Sequence, residues 1–238
     1  MTCSSAIITL TITGIHTANN QLLLPARTIF KSTVNGIPYS FLTIEDIIGE
    51  YNTTKNAFIF PKVKIFEGNY LTETYVVSPQ SRYTISNVNC DTSTIKVYVN
   101  DSAQTNVSYK YSLADDIISL NNLSEVYFLK EIESGLYEIN FGDGRLGKKL
   151  SNGNLITISY LTTNGNEANN CSSFTISVNQ FGGLSKISIV TNSKSVGGTS
   201  LEGIDSIKFN APRAYSMQNR AVTEDDYKNL VYRYYPNV

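Results

Sequence analysis

From its eighth residue the chain alternates apolar and hydroxyl side chains, Ile8-Thr9-Leu10-Thr11-Ile12-Thr13. Successive side chains of an extended strand point to opposite faces, so such a run buries one face and leaves the other wet. The same period returns down the chain. Val63 and Ile65 alternate with Lys62 and Lys64, and Ile95, Val97 and Val99 with Lys96 and Tyr98. Tyr137, Ile139 and Phe141 alternate with Glu138 and Asn140, and Ile156, Ile158 and Tyr160 with Thr157 and Ser159. Asn35-Gly36 stands between Ile29–Val34 and Ile37–Leu42 and predicts a two-residue hairpin. Val126-Tyr127-Phe128-Leu129 predicts a buried strand, and with the two runs after it reads as a three-strand meander. Phe174-Ile176-Val178 and Ile187-Ile189 close this region. Short strands with turn signals between them predict a mainly β chain, a sandwich or barrel-like body.

The period changes after Gly197-Gly198. Thr199 and Glu202 fit a capping box ahead of helically spaced Leu201, Ile204 and Ile207, with Pro212 ending that helix. Thr223 then reads as the N-cap of a second helix whose first turn is acidic (Glu224, Asp225, Asp226). Tyr227, Leu230, Val231 and Tyr234 form one apolar stripe on it, which needs a partner surface. The expected organisation is a β-rich body over residues 1–195, with a possible subdivision near 113–125, and short α-helices over 196–238 that open a following, truncated domain.

Charged residues are only 16% of the 238, while hydrophobic residues are 41%. Asn, Ser and Thr supply the polarity instead, which suits strand faces and protein contacts where each charge would need a partner. A net charge of -1 gives no electrostatic footprint for nucleic acid or an anionic membrane. No apolar stretch approaches the ~18 residues of a membrane span, and the opening Met1–Ser5 has no secretory pattern. Cys3, Cys90 and Cys171 are odd in number and widely spaced, and read as reduced thiols.

Candidate chemistry is sparse. His16, the single histidine, lies in a turn-like Gly14-Ile15-His16-Thr17 with no nucleophile motif around it, so it reads as a turn residue. Gly142-Asp143-Gly144-Arg145-Leu146-Gly147 matches the glycine spacing of a dinucleotide loop. Such a loop must open a helix whose N-terminus holds the pyrophosphate. Lys148–Asn154 runs into another turn instead, so this is a tight turn between neighbouring strands, with Lys148 and Lys149 solvated. Asp143 is a lone carboxylate where calcium would need several oxygen ligands. Asp115-Asp116 reads as a turn or helix start. The 16 tyrosines could form a sugar platform, but they equally suit strands and interfaces, and there is no Trp. No catalytic, cofactor-binding or metal-ligating residue and no cofactor is expected.

Three stretches carry a resemblance: DTSTIKVYVNDS (91–102), VYFLKEIESGLYEINFGDGRLGKKLSNGNLITISYLTTNGNEANN (126–170) and GIDSIKFNAPRAYSMQNRAVTEDDYKNLVYRYYP (203–236). Together they resemble the large baseplate wedge proteins of T-even-like contractile-tailed bacteriophages, within the wider baseplate-J-like group. The family protein is much longer, and this chain is similar to its middle segment. The resemblance implies a structural scaffold of the virion tail baseplate, assembled in the bacterial cytoplasm. It implies other wedge proteins and further copies of the same protein as partners, and no nucleic acid, membrane or small-molecule substrate. It implies no catalytic residue. The alternatives are a carbohydrate- or receptor-binding β module of a tail fibre, and a polysaccharide-cleaving enzyme of the tail tip.

Overall fold

The computed structural model describes residues 1–14, 20–102, 107–132, 135–178, 180–181, 183–217 and 220–234. These fall into two units, Met1–Ser200 and Leu201–Val238. The first unit is built from two β-sheets, as the alternation predicts.

Among the described residues the first sheet has eight strands. They are β1 (Ser5–Thr13), β2 (Gln21–Leu24), β3 (Ile29–Val34), β4 (Ile37–Leu42), β5 (Ile47–Asn52), β6 (Ala57–Glu67), β14 (Thr175–Ile176) and β15 (Lys186–Val196). The order is β14-β3-β4-β6-β1-β15, with β5 beside the start of β6 and β2 beyond it. Ile8, Leu10 and Ile12 of β1 are fully buried while Thr9 and Thr11 are not, as period two requires. On β6 the large buried apolar side chains are Phe58, Phe60, Val63 and Ile65, so the phase slips by one residue at Pro61-Lys62. The slip is a β-bulge against β1, with Lys62 at φ 53°. Pro61 has no N–H to give the ladder, so a bulge is where a central strand tolerates it. Phe30, Phe41 and Phe174 fill the same core, the last two edge-to-face at 5.0 Å. Asn35 (φ 51°) and Gly36 (φ 81°) make the predicted turn between β3 and β4.

The second sheet has seven strands among the described residues: β7 (Asn69–Val76), β8 (Tyr83–Ile85), β9 (Cys90–Asn100), β10 (Ser108–Leu113), β11 (Val126–Glu131), β12 (Tyr137–Phe141) and β13 (Leu155–Thr162). The order is β7-β13-β9-β10-β11-β12-β8, antiparallel except for β10 with β11. The expected three-strand meander is therefore only half correct. β11 and β12 pair, but β13 lies between β7 and β9. Alternation reveals which face of a strand is buried but not which strand lies beside it, and 142–154 is long enough to cross from one place in the sheet to another. Ile156, Ile158, Val97, Val99, Ile139 and Ile85 form its core.

The two ends of this sheet, β7 and β8, meet across a seam. The Tyr75 hydroxyl lies 2.6 Å from the Thr84 carbonyl oxygen and 2.7 Å from Glu73 Oε2, and its one proton can serve either. Glu73 shares the inward face with Tyr75 and accepts a hydrogen bond from the buried Tyr160 hydroxyl at 2.6 Å. It also accepts from the Ser86 amide at 3.1 Å. Tyr75 and Tyr83 stack edge-to-face across the seam at 5.7 Å.

Two buried carboxylates join the sheets. Glu67, at the end of β6, accepts from the Thr163 hydroxyl at 2.6 Å and from Asn164 Nδ2 at 2.7 Å. Asp91, on β9, accepts from the Cys3 amide at 2.7 Å and the Ser93 hydroxyl at 2.7 Å. The Thr163–Asn170 stretch is an internal clasp. Asn169 accepts from Ser4 and from the Gly198 amide, and the Asn170 amide donates to Ser195. Gly165 sits at φ 63°, and a Cβ there would lie 2.8 Å from the Thr199 carbonyl oxygen, so glycine is required twice over.

The second unit holds α1 (Ile204–Met217) and α2 (Glu224–Tyr234). Two expectations for α1 are corrected. Pro212 does not end the helix; it lies inside it. Its ring fixes φ near the helical value, so the helix loses one hydrogen bond and bears a ring clash without having to stop. Thr199 is not the cap either, because its backbone bridges to Thr2. The first intrahelical bond runs from the Ile207 amide to the Gly203 carbonyl, and Glu202 instead accepts from Ser206 and Asn210. For α2 the cap forms as expected. The Asp226 amide donates to Thr223 Oγ1 at 3.2 Å, and the Thr223 amide returns to Asp226 Oδ2 at 2.8 Å.

Candidate interaction surface

The Gly142–Gly147 turn is built by its glycines. A Cβ on Gly142 would lie 2.2 Å from the Gly147 carbonyl carbon, so only glycine lets the two backbone segments meet. Gly144 (φ 92°) and Gly147 (φ 86°) occupy the left-handed region. Asp143 Oδ1 accepts from the Arg145 and Leu146 amides at 2.8 and 3.0 Å and closes the turn. Those amides hold its carboxyl below the usual range. These donors, which a phosphate would need, are thus spent inside the turn, and no helix follows it. The expectation that it joins neighbouring strands is corrected by the same topology that breaks the meander: β12 and β13 are not adjacent.

The turn is pinned to the 114–125 loop. The Gly147 amide donates to the Asn121 carbonyl, and the Lys148 amide to Ser124. Lys148 is not a free surface cation. Its Nζ pairs with Glu125 at 3.0 Å and lies over the Tyr109 ring, and the hydrogen bond to Glu125 raises its pKa. The pinned segments expose Ile117, Ile118, Leu123 and Leu146, with Ile118 at 94% and Leu123 at 74%. The loop is thus held by hydrogen bonds while it shows aliphatic side chains to water. Asp116 forms a turn, its Oδ1 accepting from the Ile118 amide, in keeping with the turn read at Asp115-Asp116.

Among the described residues the remaining sequence candidates assemble no chemistry. His16 lies outside the described residues. Cys90 and Cys171 are buried and Cys3 is half-buried. Burial, then the Asp91 charge, pushes the Cys90 thiol up to about 12, and the same causes raise Cys3. A thiol held protonated is a poor nucleophile and a poor ligand. Among the described residues no group of His, Cys, Asp and Glu is gathered as a metal site. No helix among them is long and apolar enough to cross a membrane. In the second unit Tyr227 (61%) and Val231 (46%) stand exposed on α2, so the expected stripe faces solvent at both positions.

Sequence reasoning missed the carboxylates Glu73, Glu67 and Asp91. Glu73 had a visible signal, since it shares parity with Leu71 and Tyr75 on a strand whose inward face is apolar. The aliphatic loop residues Ile117, Ile118 and Leu123 also had one: apolar side chains with neither strand nor helix period.

Comparison with known proteins bears on the second sheet. Residues 69–164 match the family model described as the bacteriophage baseplate wedge protein gp6, third domain. Those limits follow the second sheet, from β7 at Asn69 to β13 at Thr162. The chain is also 25% identical over 242 aligned residues to baseplate wedge protein gp6 of Enterobacteria phage T4, which covers 89% of this chain. It spans 35% of that relative's length. The chain is thus similar to the baseplate wedge protein of a T4-like phage, and the part that matches the gp6 third domain coincides with its second sheet.

Proposed function

We propose that the chain is a structural part of the baseplate wedge of a contractile phage tail, located in the virion, where it links wedge proteins and performs no catalysis. The observation that carries this reading is the match of residues 69–164 to the gp6 third domain, coincident with a sheet that has its own core. Supporting it is a surface of uncharged polar strands, interrupted by aliphatic residues held out on pinned loops. The partners are other wedge proteins and further copies of the same protein. The helices α1 and α2 open a further domain, a reading supported by the exposed Tyr227 and Val231.

The test is co-expression with the other wedge proteins of the same genome, followed by size-exclusion chromatography. Co-elution in a defined complex is expected. Ile118→Asp with Leu123→Asp is expected to leave the fold intact and to weaken that complex. A chain that elutes alone with every wedge partner refutes the proposal.

A further inference from the structure

A recess of ≈ 390 Å³ opens where the turn between β2 and β3 faces the outer side of the second sheet. Arg27 and Lys96 line it together with Tyr70, Tyr98, Ser108 and Thr157, and none of its lining residues is a carboxylate. Neither Arg27 nor Lys96 makes an ion pair among the described residues. Lys96 has one long hydrogen bond, from Nζ to the Ile44 carbonyl at 3.4 Å. Arg27 lays its guanidinium over the Tyr70 ring, 4.1 Å from the centroid. Stacking by the flat face leaves the N–H edges of a guanidinium free for an anion.

The backbone that presents Arg27 is fixed in advance. Arg27 is at φ 66°, a left-handed conformation that costs any side chain with a Cβ. The turn holds it there. The Arg27 amide donates to the Thr43 carbonyl at 2.7 Å, the Ala26 amide to Asp46 Oδ1 at 2.6 Å, and the Thr28 and Thr43 hydroxyls to the Pro25 carbonyl at 2.7 and 3.0 Å. A strained, fully bonded turn that ends in an ion-unpaired arginine is a device for presenting a cation with little entropy left to lose.

We infer that this recess binds a carboxylate-bearing extended segment of a partner protein, Arg27 taking the carboxylate through its fork and Lys96 supplying a second positive charge. The inference rests on the scaffold reading for the identity of the partner as a protein. Polynucleotide is the weaker fit. A phosphate chain calls for a tracked row of cations, and here two stand in a chain of net charge -1.

The test is a titration of the isotope-labelled chain, followed by amide NMR, with a capped oligoglutamate peptide. An oligoglutamine peptide of equal length, inorganic phosphate and single-stranded oligothymidylate serve as comparison probes. Oligoglutamate is expected to shift the amides of residues 26–28, 70–72 and 96–98, with an affinity that falls as salt rises. Arg27→Gln and Lys96→Gln are each expected to weaken it by roughly tenfold. Lys96→Gln leaves the strained turn untouched, so its result stands even if Arg27→Gln loosens the fold. No shift at these amides, equal shifts with oligoglutamine, or equal or larger shifts with phosphate or oligothymidylate would overturn the inference. Failure of the wedge co-expression with a positive titration would instead count against the scaffold reading alone.

Discussion

Replacing Glu73 tests whether the seam between β7 and β8 is held by side chains where no backbone ladder exists. In Glu73→Ala the Tyr160 hydroxyl, 1% exposed, loses its acceptor. An orphaned buried hydroxyl costs about 1–3 kcal/mol. The Tyr75 hydroxyl keeps the Thr84 carbonyl at 2.6 Å, and the exposed Ser86 amide turns to water, so these two add little. Relief from desolvating the carboxylate returns part of the cost. The net expectation is a loss of about 2 kcal/mol for Glu73→Ala, and about 1 kcal/mol for Glu73→Gln, which keeps an acceptor but loses its charge. In urea denaturation this shifts the midpoint by roughly 1 M. Near-ultraviolet circular dichroism is a suitable probe, because the chain has 16 tyrosines and no Trp.

The pH dependence has a fixed sign. Burial pushes the Glu73 carboxyl up, but hydrogen bonds from Tyr160, Tyr75 and Ser86 outweigh it and hold the folded value below the ordinary 4.5. A carboxylate with a depressed folded pKa stabilises the fold above its unfolded pKa and loses that contribution as pH falls through the folded value. The gap between wild type and Glu73→Gln is therefore expected to be full at pH 7 and to close on acidification below about pH 4. Tyr160→Phe removes the orphan, so the double variant Glu73→Ala/Tyr160→Phe is expected to cost less than the two singles added. A Glu73→Ala variant within about 0.5 kcal/mol of wild type, or strict additivity in the double variant, would refute the seam argument.

Other expectations follow from single contacts. Gly142→Ala drives a Cβ into the Gly147 backbone and is expected to lower the melting temperature by several degrees, whereas Gly36→Asn, in an open turn that suits asparagine, is expected to change it little. Thr223→Ala removes the α2 cap and is expected to cost the helix about 1 kcal/mol, read as faster amide exchange over 226–230. Pro212→Ala restores a backbone donor inside α1 and is expected to slow exchange in that helix, with the β-sheet amides unaffected.

Much of the fold was legible because period two is a direct image of a half-buried strand. Ile8–Thr13 kept its parity in the structure, and Asn35-Gly36 made its turn. What could not be read was adjacency. β13 carries a clean alternation that would suit any place in a sheet, and its true neighbours, β7 and β9, are set by packing across the core. The Thr199 cap failed for a similar reason. Its local signal was sound, but pairing with Thr2, at the other end of the first unit, took the residue into an isolated β-bridge. The Gly142–Gly147 turn was read correctly as a turn from the strand signals around it. The buried Glu67 and Asp91 could not be picked out because Thr163 and Cys3, which bond them, are distant in sequence, while Glu73 and the aliphatic loop carried local signals of their own.

The clasp at Glu67 has a bearing on how this architecture can be rebuilt. The chain leaves the first sheet at Glu67 and leaves the second at Thr163 on its way back to β14, and the two points are joined by a 2.6 Å hydrogen bond. The second sheet is thus a cassette whose entry and exit lie side by side at one socket, and it is tied to its host a second time through Asp91 and the Cys3 amide. Closing so short a gap needs only a small loop, with a modest entropic cost. A two-residue Gly-Ser bridge from Glu67 to Thr163 should therefore excise the cassette and leave β1–β6, β14 and β15 to fold. The same socket should accept the matching sheet of a similar protein, so that binding preferences carried by the second sheet can be exchanged without redesigning the frame that holds it.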